Sequence, residues 1–202
     1  MADIGSLRNH PIHVIDELRR RYGRNILLNF SRYTYDRRRG IDERSSFQIS
    51  ISDVTAQWLR QELAKLKSGQ ELAIESRVGV NGVQRHILML DFRGLSQSQG
   101  STVKANLPIQ DWECMRVYFS GRSFHAYFTL LATPREWVRF MGLALLCNTS
   151  KARVIDQRWI GHRLAAGYSA LRWSCNSSHH EYYPKRVPPE HLNLSSVEKM
   201  RI

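Results

Sequence analysis

Cysteine is scarce. Cys114, Cys147 and Cys175 are the only three in 202 residues, widely separated and without a CxxC pair, so neither a disulfide frame nor a zinc ribbon is supported. Cys175 with His179 and His180 offers part of a metal site, but four ligands are usual and the rest are not evident. Long apolar runs are missing too: none approaches the ~20 residues needed to span a bilayer. The first residues, MADIGSLRNH, lack the apolar centre of a signal peptide. A cytoplasmic protein with no membrane partner is expected. Acid is the third shortage. Asp and Glu number 18 against 30 Lys and Arg, which leaves a net charge of +12 and a pI near 10.1. Such a balance draws polyanions, nucleic acid first and an anionic membrane surface second. Even lysine is rare, at 6 against 24 Arg. Planar, bidentate contacts to phosphate are therefore favoured over diffuse point charge.

What remains is ordinary globular material, 42% hydrophobic and 10% aromatic, enough for one well-buried core. A single domain over residues 1–202 is expected, with an N-terminal helix and strand portion (1–70), a core (71–180) and a polar tail (181–202). Ile12, Ile15, Leu18 and Tyr22 fall at helical spacing after Pro11, predicting a helix over 11–22 whose Arg19, Arg20 and Arg21 lie at its C-terminal end. ILLNFSRYTY and SFQISIS alternate as strands, joined by a basic loop carrying Arg37, Arg38 and Arg39. Asp53 is read as the N-cap of a helix from Val54 to about Lys67. Asn81-Gly82 between ELAIESRVGV and VQRHILMLDF predicts a long antiparallel hairpin. Residues 95–106, polar and glycine-containing, are expected to form a mobile loop. Thr133-Pro134-Arg135-Glu136 is a capping box opening a helix to about Cys147. Further on, Leu164 to Tyr168 is read as a short helix and Ala170 to Trp173 as a last strand.

The most informative stretch is Val117 to Leu131, VYFSGRSFHAYFTLL, two apolar strands about a Ser120-Gly121-Arg122 turn. Ser123 and His125 are two apart, so in a strand they share a face. With Arg122 beside them they make a cradle for phosphate oxygens. Acids follow short apolar strands twice, at Asp91 and at Asp156. Either can hold a divalent cation at a sheet rim or simply end a strand in a turn. Arg172 lies in the last strand, and Arg158 and Arg163 follow Asp156. Two carboxylates, a Ser/His pair and arginines are parts of a phosphoryl-transfer site. A Ser-His-Asp hydrolase is the weaker reading, because no elbow motif exposes and activates the serine.

LMLDFRG, SGRSFHAYF, VIDQRW and the distal ALRWSCN, in that order, resemble the archaeo-eukaryotic primase superfamily, most closely its bacterial primase 1D-like members. The resemblance covers roughly residues 85 to 180. It implies an α+β fold, a primase-like (RRM-like) antiparallel or mixed central sheet flanked by helices, with an N-terminal αβ annex. It also implies that Asp91 and Asp156 bind Mg²⁺ or Mn²⁺, that Ser123 and His125 contact the phosphates of an incoming nucleoside triphosphate, and that Asp91, His125 and Asp156 are catalytic. One departure stands out: the first motif ordinarily has two acids separated by one residue, and here the second position is Arg93. That guanidinium can neutralise Asp91 or Asp156, or bind the triphosphate as Arg122 and Arg172 would. Glu113 is a substitute acid that nothing aligns.

Three readings follow. The first is a template-dependent nucleotidyltransferase acting on single-stranded DNA or RNA held by Arg37, Arg38, Arg39, Arg158 and Arg163. The second is a primase-fold nucleotide and nucleic-acid binding module that has lost polymerisation. The third is a basic partner within a larger replication or defence complex. Tyr33, Tyr35, Trp159 and Trp173 are candidate base-stacking aromatics, worth ~1 to 3 kcal/mol each where they stack.

Overall fold

Asn81 (φ 50°) and Gly82 (φ 77°) both take the positive φ that a tight two-residue hairpin turn requires. They join β3 (Gln70–Val80) to β4 (Val83–Phe92), as the sequence predicts. The computed structural model describes residues 7–34, 43–94, 97–107, 109, 112–150, 153–180 and 182–188. The two strands stay paired only near their turn, from Arg77↔His86 to Val80↔Val83. Beyond it β4 turns to β6 (Phe124–Ala132), paired from His86↔Ala132 to Phe92↔Phe124 with a register shift between Ile87 and Leu88, while β3 takes β7 (Ala170–Arg172) against Ala73, Ile74 and Glu75. The hairpin is thus forked. β7 fills the fork, and the functional residues gather where it opens.

The remaining strands extend this frame. β1 (Ile26–Thr34) lies against β3 and carries β2 (Arg44–Ser50), while β5 (Met115–Phe119) lies against β6 and carries β8 (Lys185–Arg186). The sheet is eight-stranded, and every pairing among the described residues is antiparallel. Because β4 is central, it is apolar on both sides. Ile87 and Met89 face a layer formed by α1 (His13–Tyr22) and α2 (Ala56–Ala64) through Val14, Ile15, Leu18 and Leu59. Leu88, Leu90 and Phe92 face α3 (Gln97–Asn106), α4 (Pro134–Leu145) and α5 (Gln157–Ala166) through Val103, Trp137, Phe140 and Ile160. The fold is α+β with helices on both faces of an antiparallel sheet. No helix among the described residues is long and apolar enough to cross a membrane.

Several local expectations change. The cap of α2 is Thr55, whose side chain accepts from the Trp58 N–H at 3.1 Å, and Asp53 sits in the preceding turn. Residues 97–106 are helical, anchored by buried Val103 with Leu107 just beyond, so most of the expected mobile loop is a docked helix. α5 starts at Gln157, well before the short helix read from Leu164. The capping box is present as expected: Thr133 accepts from the Glu136 N–H while the Glu136 carboxylate accepts from the Thr133 N–H. The basic loop with Arg37, Arg38 and Arg39, and Tyr35 beside it, lies outside the described residues.

Candidate functional site

Asp91 lies one residue from the end of β4, and its neighbour Phe92 bridges Ile155. Two backbone hydrogen bonds fix that junction, Arg93 N–H to Val154 O at 2.9 Å and Asp156 N–H to Asp91 O at 3.0 Å. The two acids, distant in sequence, are thereby brought together. Asp156 is the N-cap of α5, its Oδ1 accepting from the Arg158 and Trp159 N–H groups at 2.9 and 3.1 Å. Its Oδ2 faces Arg93 Nε at 3.6 Å. One carboxylate is therefore engaged on both sides, by a helix N-terminus and by a guanidinium.

Across the sheet, Asp91 and His125 are direct partners in the β4–β6 ladder, so their side chains share a face. Ser123, just ahead of β6, hydrogen-bonds the Asp91 carboxylate. The turn before it is closed by Ser120, whose N–H and Oγ both donate to Ser123 O at 2.8 and 3.0 Å, with the two hydroxyls 2.9 Å apart. Gly121 at φ 108° holds a conformation that L side chains rarely adopt, and the ring of Tyr182 lies 3.6 Å from where its Cβ would stand. Arg172, buried in β7, braces this turn from below. Its guanidinium donates to Ser120 O at 2.7 Å, to Tyr182 O at 3.1 Å and to Ser174 O.

These elements surround a cavity of about 570 Å³ lined by Asp91, Arg93, Arg122, Ser123, His125, Asp156, Arg163 and Arg172. Eight residues singled out in the sequence are thus brought to one place. Arg158 is not among the lining residues; it is exposed on α5, with Nε donating to His162 Nε2 at 3.3 Å. Glu113 is exposed in a single turn of 3₁₀ helix (Trp112–Cys114) and does not reach the cavity. Trp159 lines the cavity and Tyr33 does too, with the guanidinium of Arg44 3.9 Å over its ring. Trp173 is instead core: fully buried, it donates Nε1–H to Tyr127 OH at 3.2 Å and packs edge-on to Phe30. The sequence reading did not place Arg44 or Tyr182 here, and it singled out His179 and His180 only with Cys175, which does not line the cavity. The strap that supplies His179, His180 and Tyr182 is positioned by Glu71, an acid remote in sequence.

Burial raises the Asp91 carboxyl to about 7, the charge of Asp156 adding to the rise while Ser123, Arg172 and Arg93 oppose it. His125 is held well below the ordinary imidazole value, first by burial and then by the charges of Arg172 and His180, so its ring is neutral. Asp91 Oδ1 and His125 Nδ1 are both buried without a hydrogen-bond partner. Orphaned polar atoms on adjacent strands of a cavity wall are what a ligand would satisfy. A raised acid has a clear consequence for pH. Between about 3.8 and 7 the folded chain keeps a proton that the unfolded chain has released, so the contribution of this group to stability falls as pH rises through that window. Asp91→Asn removes this titrating group. In denaturant unfolding the variant should gain stability over the wild type above pH 7 and lose that gain toward pH 3.8; a constant offset at every pH would refute it.

A pair of divalent cations does not fit this arrangement. Among the described residues no group of three or more His, Cys, Asp or Glu converges. Asp156 is capping a helix and pairing with Arg93.

Residues 50–185 match the family model of archaeo-eukaryotic primase 1D-like proteins. The chain belongs to that family. The match takes in every cavity residue named above except Tyr33 and Arg44. The crystal structure of primase RepB' is similar to this primase-family chain, with a TM-score of 0.49 and 15% sequence identity, covering 87% of this chain and 55% of that one. The chain thus spans little more than half the length of that primase. No curated protein matches it.

Proposed function

We propose that this primase-family chain binds the phosphate groups of a nucleoside triphosphate, together with single-stranded DNA or RNA, in the 570 Å³ cleft. Arg93 neutralises Asp156 where the two-acid motif would put a second carboxylate. The observation that carries the reading is convergence: Arg93, Arg122, Ser123, His125 and Arg172 come from separate turns and strands to line one cavity. Arg122 and Ser123 offer phosphate donors at the Gly121 turn, and Arg172 sets the shape of that turn through Ser120. The net charge of +12 favours a polyanion, whose binding should weaken steeply as salt rises.

A second reading is template-dependent nucleotidyl transfer. It is favoured by one feature, the buried and unpartnered Oδ1 of Asp91, an acid that burial raises to about 7. There a single Mg²⁺ or Mn²⁺ carried in on the triphosphate would be held by Asp91, and would supply charge neutralisation at the phosphates. The test compares labelled single strands in a binding titration with extension and de novo synthesis in Mg²⁺ or Mn²⁺. Salt-sensitive binding without product supports the binding module. Product that Asp91→Ala abolishes establishes the second reading. Absence of both binding and product overturns the two together.

A further inference from the structure

The face of β1, β2 and β3 turned away from α1 and α2 carries another hollow, of about 450 Å³, beside the Asn81-Gly82 turn. Register assembles it: Leu27, Gly79 and Gln84 are cross-strand partners in one row over β1, β3 and β4, and Gln48 pairs with Asn29 in the next. Leu28 and Val78, their neighbours in sequence, point the other way, into the core under the two helices. The floor is flat and apolar. Leu27 is 47% exposed beside a glycine that brings no side chain, and Val83, 50% exposed, lines the hollow with it. The rim is made of carboxamides, each turned by a bond at a known end. Asn25 Nδ2 donates to Asn81 Oδ1 at 2.7 Å, Asn29 Nδ2 to Arg77 O at 2.8 Å, and Gln84 Nε2 to His86 Nε2 at 3.3 Å. An amide nitrogen can only donate, so His86 accepts on Nε2 and its Nδ1–H donates to Ser76 Oγ at 3.0 Å. Burial lowers this imidazole to about 4 and so keeps it neutral, as that role requires. With these nitrogens turned to the protein, the oxygens of Asn25, Asn29 and Gln84 are what the rim offers a ligand.

We propose that this hollow holds one base of a single-stranded nucleic acid and reads its edge, favouring bases that present an amino group. The proposal rests on the reading that the cleft takes a single strand, and it extends the path of that strand across the sheet. Continuity of surface points to this occupant. Tyr33 and Arg44, paired across β1 and β2, line the cleft, while Asn29 and Gln48, paired on the same two strands, line the hollow. Only the Ser31–Ser46 pair stands between them on that face. At about 3.4 Å per strand residue the two pairs lie roughly 14 Å apart. A net charge of +12 draws a polyanion toward the whole surface. The hollow then supplies what charge cannot, a platform for a planar ring and a pattern of acceptors. Cytosine presents an amino donor where thymine presents a carbonyl oxygen. An acceptor-rich rim pairs with the first and sets acceptor against acceptor with the second.

Fluorescence anisotropy of the whole chain with labelled oligodeoxycytidine and oligodeoxythymidine of equal length is the test. The wild type should bind the cytidine strand about tenfold more tightly, the discrimination of one well-formed base contact. Gly79→Val is the decisive variant. Gly79 is not among the glycines at positive φ, and the nearest contact of a Cβ there is Leu27 Cβ at 3.6 Å, an ordinary van der Waals distance. A β-branched residue suits a strand, so the substitution covers the floor without straining the fold. With circular dichroism matching the wild type, this variant should bind the cytidine strand no better than the thymidine strand. Gln84→Ala, exposed at the rim, should reduce the preference without covering the floor. Equal affinity of the wild type for the two strands, or a preference that survives in both variants, overturns the base-reading role and leaves single-strand binding in the cleft standing. An equal loss on both strands in Gly79→Val overturns the selectivity, because the hollow then holds a strand without reading it. Absence of binding of either strand by the wild type overturns both the hollow and the reading it rests on.

Discussion

Arg172→Ala is expected to destabilise the chain by about 3 kcal/mol or more and to weaken triphosphate binding well beyond tenfold. The side chain is buried, and its guanidinium serves three carbonyls at once, on Ser120, Ser174 and Tyr182. Each buried carbonyl left without a donor costs roughly 1 to 3 kcal/mol. The same three bonds tie the phosphate-facing turn to β7 and to the strap carrying His180, so shape and stability are lost together. Arg172→Lys should rescue little, because an ammonium cannot present the planar fork that spans three acceptors. Urea unfolding and calorimetric triphosphate titration of both variants check this. Near-wild-type behaviour of the lysine variant would show that charge alone, not the fork, is what the site needs.

The second large effect is expected at Arg93. Its guanidinium stands 3.6 Å from Asp156, at a position two residues on from Asp91. Arg93→Asp removes that counterion and adds a third acid to the pair already gathered there. Like charges so close repel, and a divalent cation is the simplest relief. The variant should show calorimetric binding of Mg²⁺ or Mn²⁺ that the wild type lacks. Without cation its triphosphate affinity should drop by about tenfold or more, one cationic contact having become a repulsive one. Unchanged titrations in both respects would mean that Arg93 does not replace a cation.

Much of this site could be read from the chain because its signals are local. Asn81-Gly82 and Thr133-Pro134-Arg135-Glu136 encode their turn and cap in consecutive residues, and the Ser123/His125 spacing encodes a shared face. What escaped reading is set by distant partners. The helix over 97–106 shows no apolar stripe, since Val103 and Leu107 are nearly all that anchor it. α5 was obscured by Gly161 and by Arg163, an arginine that the fold buries. Asp156 reads equally well as a metal ligand or as a cap, and only the structure shows it capping. Glu71 looks like an ordinary polar residue opening a strand. Its burial depends on donors about a hundred residues later, beyond the reach of any pattern.

The measurement closest to the central claim is a calorimetric titration of nucleoside triphosphate into the wild-type protein, once in EDTA and once in Mg²⁺. If Arg93 and its neighbours do the work of a cation, binding persists in EDTA with an affinity within a few fold of that in Mg²⁺. Binding that appears only with Mg²⁺ would contradict this and place a cation at Asp91 and Asp156 despite the guanidinium paired with Asp156.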